Sequence, residues 1–447
     1  MNTQNLLDAA EALVAAARRH GADSADAVGR GSIARGVGVR LGALEDVDSS
    51  ENVEVGLRAF VGRRSASVSS ADLSPTGIEA LAERAVAMAR LAPEDPYAGL
   101  APVEALAKGP FADLGIADNA DPSPEDLRET ALAVEEAARA VAGVTNSEGG
   151  SASATRAAAA LATSTGFAAL YHGTAYSIGV SVIAGEGEAM QRDYAMRSAR
   201  HLSDLPGAEE IGRLAGERTV ARLAPAATAG GPMPVVFANR VSASIVGHLL
   251  GAMGAPQIAR KASFLAGREG AALFAPGIRV VEDPLRPRGI ASRPFDGEGV
   301  PCAPRVLVED GRVTGWLTNV ASAAQLSLPL TGHASRGTGG APGVGASNVD
   351  LLAGDASLDE LIADIEDGIL VDYLIGQGVN MVTGDYSRGA AGRRIVKGRV
   401  EGPVAGFTIA GNLLDMFASL RAANDLETWR PVNAPSLRVD GMTVAGG

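Results

Sequence analysis

Apolar positions change their period early in the chain. Leu6, Leu7, Ala10, Leu13, Val14 and Ala17 recur at helical spacing, so residues 5–19 are predicted as an amphipathic helix, stopped by Gly21. From Ala25 to Val68 the period falls to two. Val37, Val39 and Leu41 share one strand face, as do Val53, Val55 and Leu57, with the polar Asp46–Glu51 as the expected turn between them. That predicts a meander of two or three antiparallel strands. Pro75, at a first-turn position that proline tolerates, then opens a helix running to about Leu91.

Residues 92–123 are rich in Pro, Asp and Gly and read as a long surface connection. Ser123-Pro124-Glu125 supplies a good N-cap and first turn for a helix to about Val141. Strands follow at roughly 144–150, 153–164, 167–184 and 188–198, then a helix over 208–223. Helix, strands, helix thus occurs twice, in residues 1–95 and 123–225. Two similar units are conceivable, although no residue-level repeat supports them.

Ala224–Pro234 is the clearest boundary. Beyond it the pattern predicts a strand at 235–237, a helix at 240–253 and strands at 278–282, 305–309 and 313–317. The last two pair across the hairpin turn Asp310-Gly311. Residues 330–348 are too glycine-rich for regular structure. A helix over 357–377, short strands at 381–383, 394–396, 400–401 and 406–409, a helix over 412–423 and strands at 436–439 and 442–445 complete the expectation. The fold class is α+β. An N-terminal domain of residues 1–225 carries meanders and flanking helices; a β-rich domain of residues 232–447, barrel-like or sandwich-like, follows.

Composition narrows the function. The 447 residues are 46% apolar and 20% charged, enough for two sizeable cores. The net charge of −13, with no basic cluster, disfavours nucleic-acid binding. Only Lys108, Lys261 and Lys397 are lysines; the remaining bases are dispersed arginines. No run approaches the roughly 20 apolar residues of a membrane span. The N-terminus lacks the pattern of a signal peptide, so the expected location is cytoplasmic.

Local motifs offer little chemistry. The single cysteine, Cys302, excludes an intrachain disulfide and a multi-cysteine zinc site, and reads as a small apolar residue sooner than a nucleophile. The glycine-rich loop 332–348 lacks a P-loop signature and reads as a structural or lid loop. No G-x-S-x-G occurs. His20, His172, His201 and His333 lie in separate elements without a second ligand at metal spacing. Asp296 and Glu298 are glycine-flanked acids of the turn-forming kind.

Several longer stretches together resemble the family of TldD and TldE (also called PmbA), once described as modulators of DNA gyrase. They are FDGEGVPCAPRVLVEDGRVTGWL (295–317), LTGHASR (330–336), GVNMVTGDYSRGAAGRRIVKGRVEGPV (378–404), TIAGNLLDMF (408–417) and PSLRVDGMTVAG (435–446). The N-terminal half is similar more loosely, through its layout and GLRAFVGRRSASVSS (56–70).

The resemblance implies a cytoplasmic, heterodimeric metallopeptidase acting on unfolded peptides. In the TldD type, a His-Glu-x-x-x-His helix and a cysteine near the C-terminus carry the metal. The corresponding positions here are Ala243, Ser244 and His248, and residues 421–425 contain no cysteine. Alanine has no donor atom, and a serine hydroxyl is no carboxylate base near neutral pH. The resemblance therefore points to the TldE/PmbA type, with no catalytic residue and no metal or other cofactor in this chain. Zinc is expected in a TldD-like partner. An unfolded peptide is the expected substrate, and a homodimer is an alternative assembly for the lone chain. His248, His333, Ser387, Gly389 and Asn412 are the candidate peptide-binding or structural positions. The β-rich half is expected to offer a sheet edge to a peptide, with the 332–348 loop over it. Two other readings stay open at this point. One is a non-enzymatic regulatory binding protein, toxin–antitoxin or gyrase related. The other is an autonomous hydrolase using Cys302 or the Asp296/Glu298 pair.

Overall fold

Helix α1 (Gln4–Arg19) forms where the 3.6-residue period places Leu6, Ala10, Leu13 and Ala17 on one buried face. The computed structural model containing it describes residues 4–446; residues 1–3 and 447, at the outer ends of the two expected domains, lie outside the described residues. Strands β1 (Ser24–Arg40) and β2 (Ala43–Val61) follow as one long antiparallel hairpin, then β3 (Arg64–Ser70) and helix α2 (Pro75–Leu91). The turn is not at Asp46–Glu51. It is the two-residue loop Leu41-Gly42, both with positive φ (53° and 78°), while Arg40 pairs with Ala43. Asp46–Glu51 is polar because that part of β2 is an exposed strand, not because the chain turns there.

Helix α3 (Pro124–Arg139) starts with a capping box between Ser123 and Asp126. Strands β4 (Val144–Thr163), β5 (Ala168–Ala184) and β6 (Gln191–Ala199) and helix α4 (Ala208–Val220) complete the second set. All six strands form one antiparallel sheet of order β3-β2-β1-β4-β5-β6. The central pairing runs from Asp26↔Thr163 to Val39↔Gly150. The two helix–strands–helix sets therefore meet through their first strands, and each set's order mirrors the other's. The 92–123 connection packs on this sheet, burying Leu114 and Ile116, and the Ile116 carbonyl accepts from Thr174 N at 2.9 Å.

Beyond residue 230 the chain builds a closed barrel. Strand β7 (Gly231–Phe237) pairs in parallel with Asp367–Ile375 and antiparallel with Leu437–Ala445. Asp385–Val396 pairs with Asp367–Ile375 and with Arg399–Asn412, which closes the ring by bonding Leu437–Ala445 at Thr408↔Ala445. The barrel alternative of the sequence reading is thus the one adopted. Closure gives each of these five strands two neighbours, but Tyr373–Ile375 runs past the end of β7 and bonds on one side only, to Gly389–Ala391. Loop 332–348 does not cover the barrel as expected; Thr338 and Arg336 of that loop lie on the N-terminal sheet, against Gly56, Glu54 and Asp26.

Three further differences concern the C-terminal half. The helix expected over 357–377 is only Leu358–Ile362, and Asp367–Ile375 is a barrel strand whose Gly368–Val371 are all buried. Residues 381–383 form a turn, not a strand, held by Val382 N donating to the Asn380 side chain at 2.9 Å. The last helix is Leu413–Ser419, shorter than expected. A five-stranded sheet of short strands, including Val280–Glu282, Arg305–Glu309 and Val349–Leu351, lies beside the barrel. The hairpin turn at Asp310-Gly311 forms, with φ of 46° and 75°, although its second strand is only Arg312–Val313 and not 313–317. Among the described residues, no helix is long and apolar enough to cross a membrane.

Candidate functional site

Helix α5 (Asn239–Ala252) leaves β7 directly and turns its apolar stripe, Ile245, Val246, Leu249 and Ala252, into the barrel core. Four such buried side chains contribute several kcal/mol, so packing alone accounts for the helix. Ser242 is buried on the same side, its hydroxyl donating to the Ala434 carbonyl at 3.1 Å. Ala243 and Ser244 sit at the helix's half-buried margin. Ser244 Oγ donates to the Val241 carbonyl at 2.7 Å, so the hydroxyl is spent within its own helix.

His248 lies one turn further on, its ring edge-on to Tyr386 at 6.0 Å between centroids. Its buried Nε2 has no hydrogen-bond partner. Burial, and then the charge of Arg388, hold the imidazole below its ordinary pKa, so the ring is neutral near pH 7. The segment 421–425 does run beside this helix: the Asn239 side chain donates to the Asp425 carbonyl at 3.3 Å. The residues present there do not fit a zinc ion. One imidazole is the sole donor that α5 offers, and no group of three or more His, Cys, Asp or Glu side chains suited to a metal occurs among the described residues. A guanidinium beside that imidazole opposes a cation further.

Sequence reasoning missed what surrounds α5. Tyr386 and Arg388 alternate onto the inward face of barrel strand Asp385–Val396 and are 1% and 9% exposed. Arg388 Nε, like His248 Nε2, is buried without a hydrogen-bond partner, and the buried Tyr386 hydroxyl lies beside the Arg388 guanidinium. Arg240, in the first turn of α5, makes a two-pronged contact with buried Asp193 at 2.7 and 3.0 Å. Arg222 reaches both Asp193 and Asp372 at 3.6 Å, and Arg393 lies 3.9 Å from Asp372. These residues come from β6, α5, two barrel strands and the segment after α4. No local spacing could announce them; inward-facing arginine in an otherwise apolar alternation was the one available signal.

The remaining candidates are scattered. His333 is buried elsewhere, its Nε2 2.5 Å from Glu282 and its Nδ1 2.8 Å from Thr331 Oγ1. Ser387 is exposed and Gly389 half-buried on the strand that carries Arg388. A Cβ at Gly389 would lie 3.3 Å from Ile375 Cβ, a tight contact. Asn412 caps the helix Leu413–Ser419, accepting from Leu414 N at 3.0 Å, and donates to the Thr383 carbonyl and Asp385.

The groups named for an autonomous hydrolase are likewise committed elsewhere. Cys302 is buried, bonds the Gly332 carbonyl at 3.2 Å, and has its thiol pushed up to about 11 by burial. A thiol so raised is a poor nucleophile. Asp296 accepts three backbone N–H groups, from Glu298, Val300 and Ala334, each at 2.9 Å. Glu298 lies 3.3 Å from Arg58 and accepts from Val320 N at 2.7 Å. Both acids hold loops in place.

Comparison with known proteins agrees with the resemblance. Residues 25–89, 117–223 and 230–446 match, in order, PmbA/TldA metallopeptidase domain 1, the central domain and the C-terminal domain. The metalloprotease PmbA of Escherichia coli O157:H7 is 36% identical over 412 residues, covering 92% of this chain and 89% of that protein. A Bacteroides thetaiotaomicron protein described as a modulator of DNA gyrase superposes with a TM-score of 0.90 at 25% identity, with 98% of each chain covered. TldE of Thermococcus kodakarensis has the same fold, with a TM-score of 0.85 at 20% identity over 98% of this chain and all of that one (100%). This chain belongs to the PmbA/TldD metallopeptidase family.

Proposed function

We propose that the chain is the non-catalytic, TldE/PmbA-like member of a cytoplasmic two-subunit peptidase acting on unfolded peptides, in which a TldD-like partner supplies the zinc site. The observation that carries this reading is the composition of α5. Ala243 has no donor, Ser244 Oγ is bonded within the helix, and His248 stands alone beside Arg388. Three or four protein ligands are the rule for zinc, and a carboxylate or equivalent base is needed to activate its water. The barrel and α5 are intact around these positions, which supports a retained binding or assembly role in place of hydrolysis.

The chain's part is then to complete the complex and to shape the route by which a peptide reaches the partner's metal. The test is cleavage of an unfolded peptide by the purified chain, alone and mixed with a TldD-like protein. No turnover alone and turnover on mixing are expected. Chelator-sensitive cleavage by the single chain, at a rate that the partner does not change, would overturn the proposal.

A further inference from the structure

A cleft of about 260 Å³ opens beside α5, lined by Tyr194, Arg240, Ser244, Asp372, Tyr373 and Arg388 among others. Its charge is unbalanced. Asp193 and Asp372 are shared among Arg222, Arg240 and Arg393, whereas no carboxylate among the described residues lies within ion-pair distance of Arg388. Arg388 is only 9% exposed, and a buried guanidinium without an acidic partner is costly. Its Nε and the neighbouring His248 Nε2 are buried without partners, and the buried Tyr386 hydroxyl has, among the described residues, only Arg388 itself as a neighbour to bond. Buried polar groups are almost always bonded, so an unpaired buried guanidinium that lines a cleft marks a place where something else binds.

We propose that this cleft binds a carboxylate, presented by the free C-terminus of an extended peptide, with the Arg388 guanidinium as its principal partner. A guanidinium offers a planar fork of donors that matches the two oxygens of a carboxylate. Asp372, on the same wall, disfavours a doubly charged group such as phosphate. The aromatic faces of Tyr194 and Tyr373, already stacked under Arg240 and Arg222, give the preceding residues an apolar surface. That the carboxylate belongs to a peptide rests on the function proposed above; that a carboxylate is bound does not.

The test is binding of a short, N-terminally labelled, unstructured peptide to the purified chain, followed by fluorescence anisotropy. The free-acid form is expected to bind about tenfold or more tighter than the C-terminal amide, in line with one charge-assisted contact. Arg388→Gln should remove that preference and Arg388→Lys should restore part of it. Ser244→Glu, which places a carboxylate in the cleft, should abolish it, and this second variant carries the test if Arg388→Gln does not fold. Acetate should compete better than inorganic phosphate at equal concentration. Equal affinity for acid and amide would overturn the proposal, and stronger competition by phosphate would overturn the choice of carboxylate. An Arg388-dependent preference in a chain that also proved to hold zinc would refute the non-catalytic reading and leave this site standing.

Discussion

Glu298 is the residue at which acid strength and packing meet most directly. It is 3% exposed, and burial raises its carboxyl to about 7 although Arg58 opposes the shift. The folded chain therefore holds this proton where an unfolded glutamate has already lost it. The stabilisation is fully present below the unfolded value of 4.5 and is lost as pH rises through about 7. The expected size is up to roughly 3 kcal/mol, by 1.36 kcal/mol per pKa unit. Comparing the denaturation midpoints of the parent chain and Glu298→Gln across pH 4.5–7 checks this: the downward slope should flatten in the variant. Asp26 behaves in the opposite sense. Burial alone would raise its carboxyl, but Arg336 and Arg58 together bring it below the ordinary value. Asp26→Ala leaves two buried guanidinium groups without that partner and is expected to cost about 3–5 kcal/mol in the same assay. A loss below about 1 kcal/mol would show that the cluster is not holding the two halves together.

At the scale of elements, legibility followed the environment of each segment. Helices α1, α2, α3 and α4 were readable because each shows one face to a sheet and the other to water, which writes the 3.6 period into the sequence. Asp367–Ile375 was not readable. Inside a closed barrel, beside a parallel neighbour, Gly368–Val371 are all buried, so the polar alternation that marks a strand is absent. Leu361, Ile362 and Ile365 keep a helical spacing past the end of the short helix Leu358–Ile362, almost up to the strand that begins at Asp367. Asp46–Glu51 failed for the converse reason: an exposed strand is as polar as a turn, and Leu41, with φ of 53°, gives no compositional hint of being one. The same scale supplies a test of how the 332–348 loop docks. A Cβ on Gly56 would lie 2.0 Å from the Thr338 carbonyl oxygen. Gly56→Ala must displace the loop or bend β2, and is expected to cost about 1–3 kcal/mol and to speed proteolysis within 332–348. Unchanged protection of the loop would contradict that packing.

For the whole molecule, the sequence carried the α+β class, while the arrangement needed the structure. The mirrored order β3-β2-β1-β4-β5-β6 arises because β1 and β4 find each other across more than a hundred residues, a long-range pairing that no local pattern specifies. The candidate site divides in the same way. His248, Ala243 and Ser244 were visible because they share one helix. Arg388, Tyr386, Arg240 and Asp193 were not, because three elements must fold before they become neighbours. The central claim concerns that assembled site: it holds a lone imidazole and a guanidinium where a zinc site would need three ligands. It is tested most directly by the metal content of the purified chain after exhaustive dialysis against zinc-containing and then metal-free buffer. Zinc far below one equivalent per chain is the predicted result. About one tightly held zinc per chain would contradict the account.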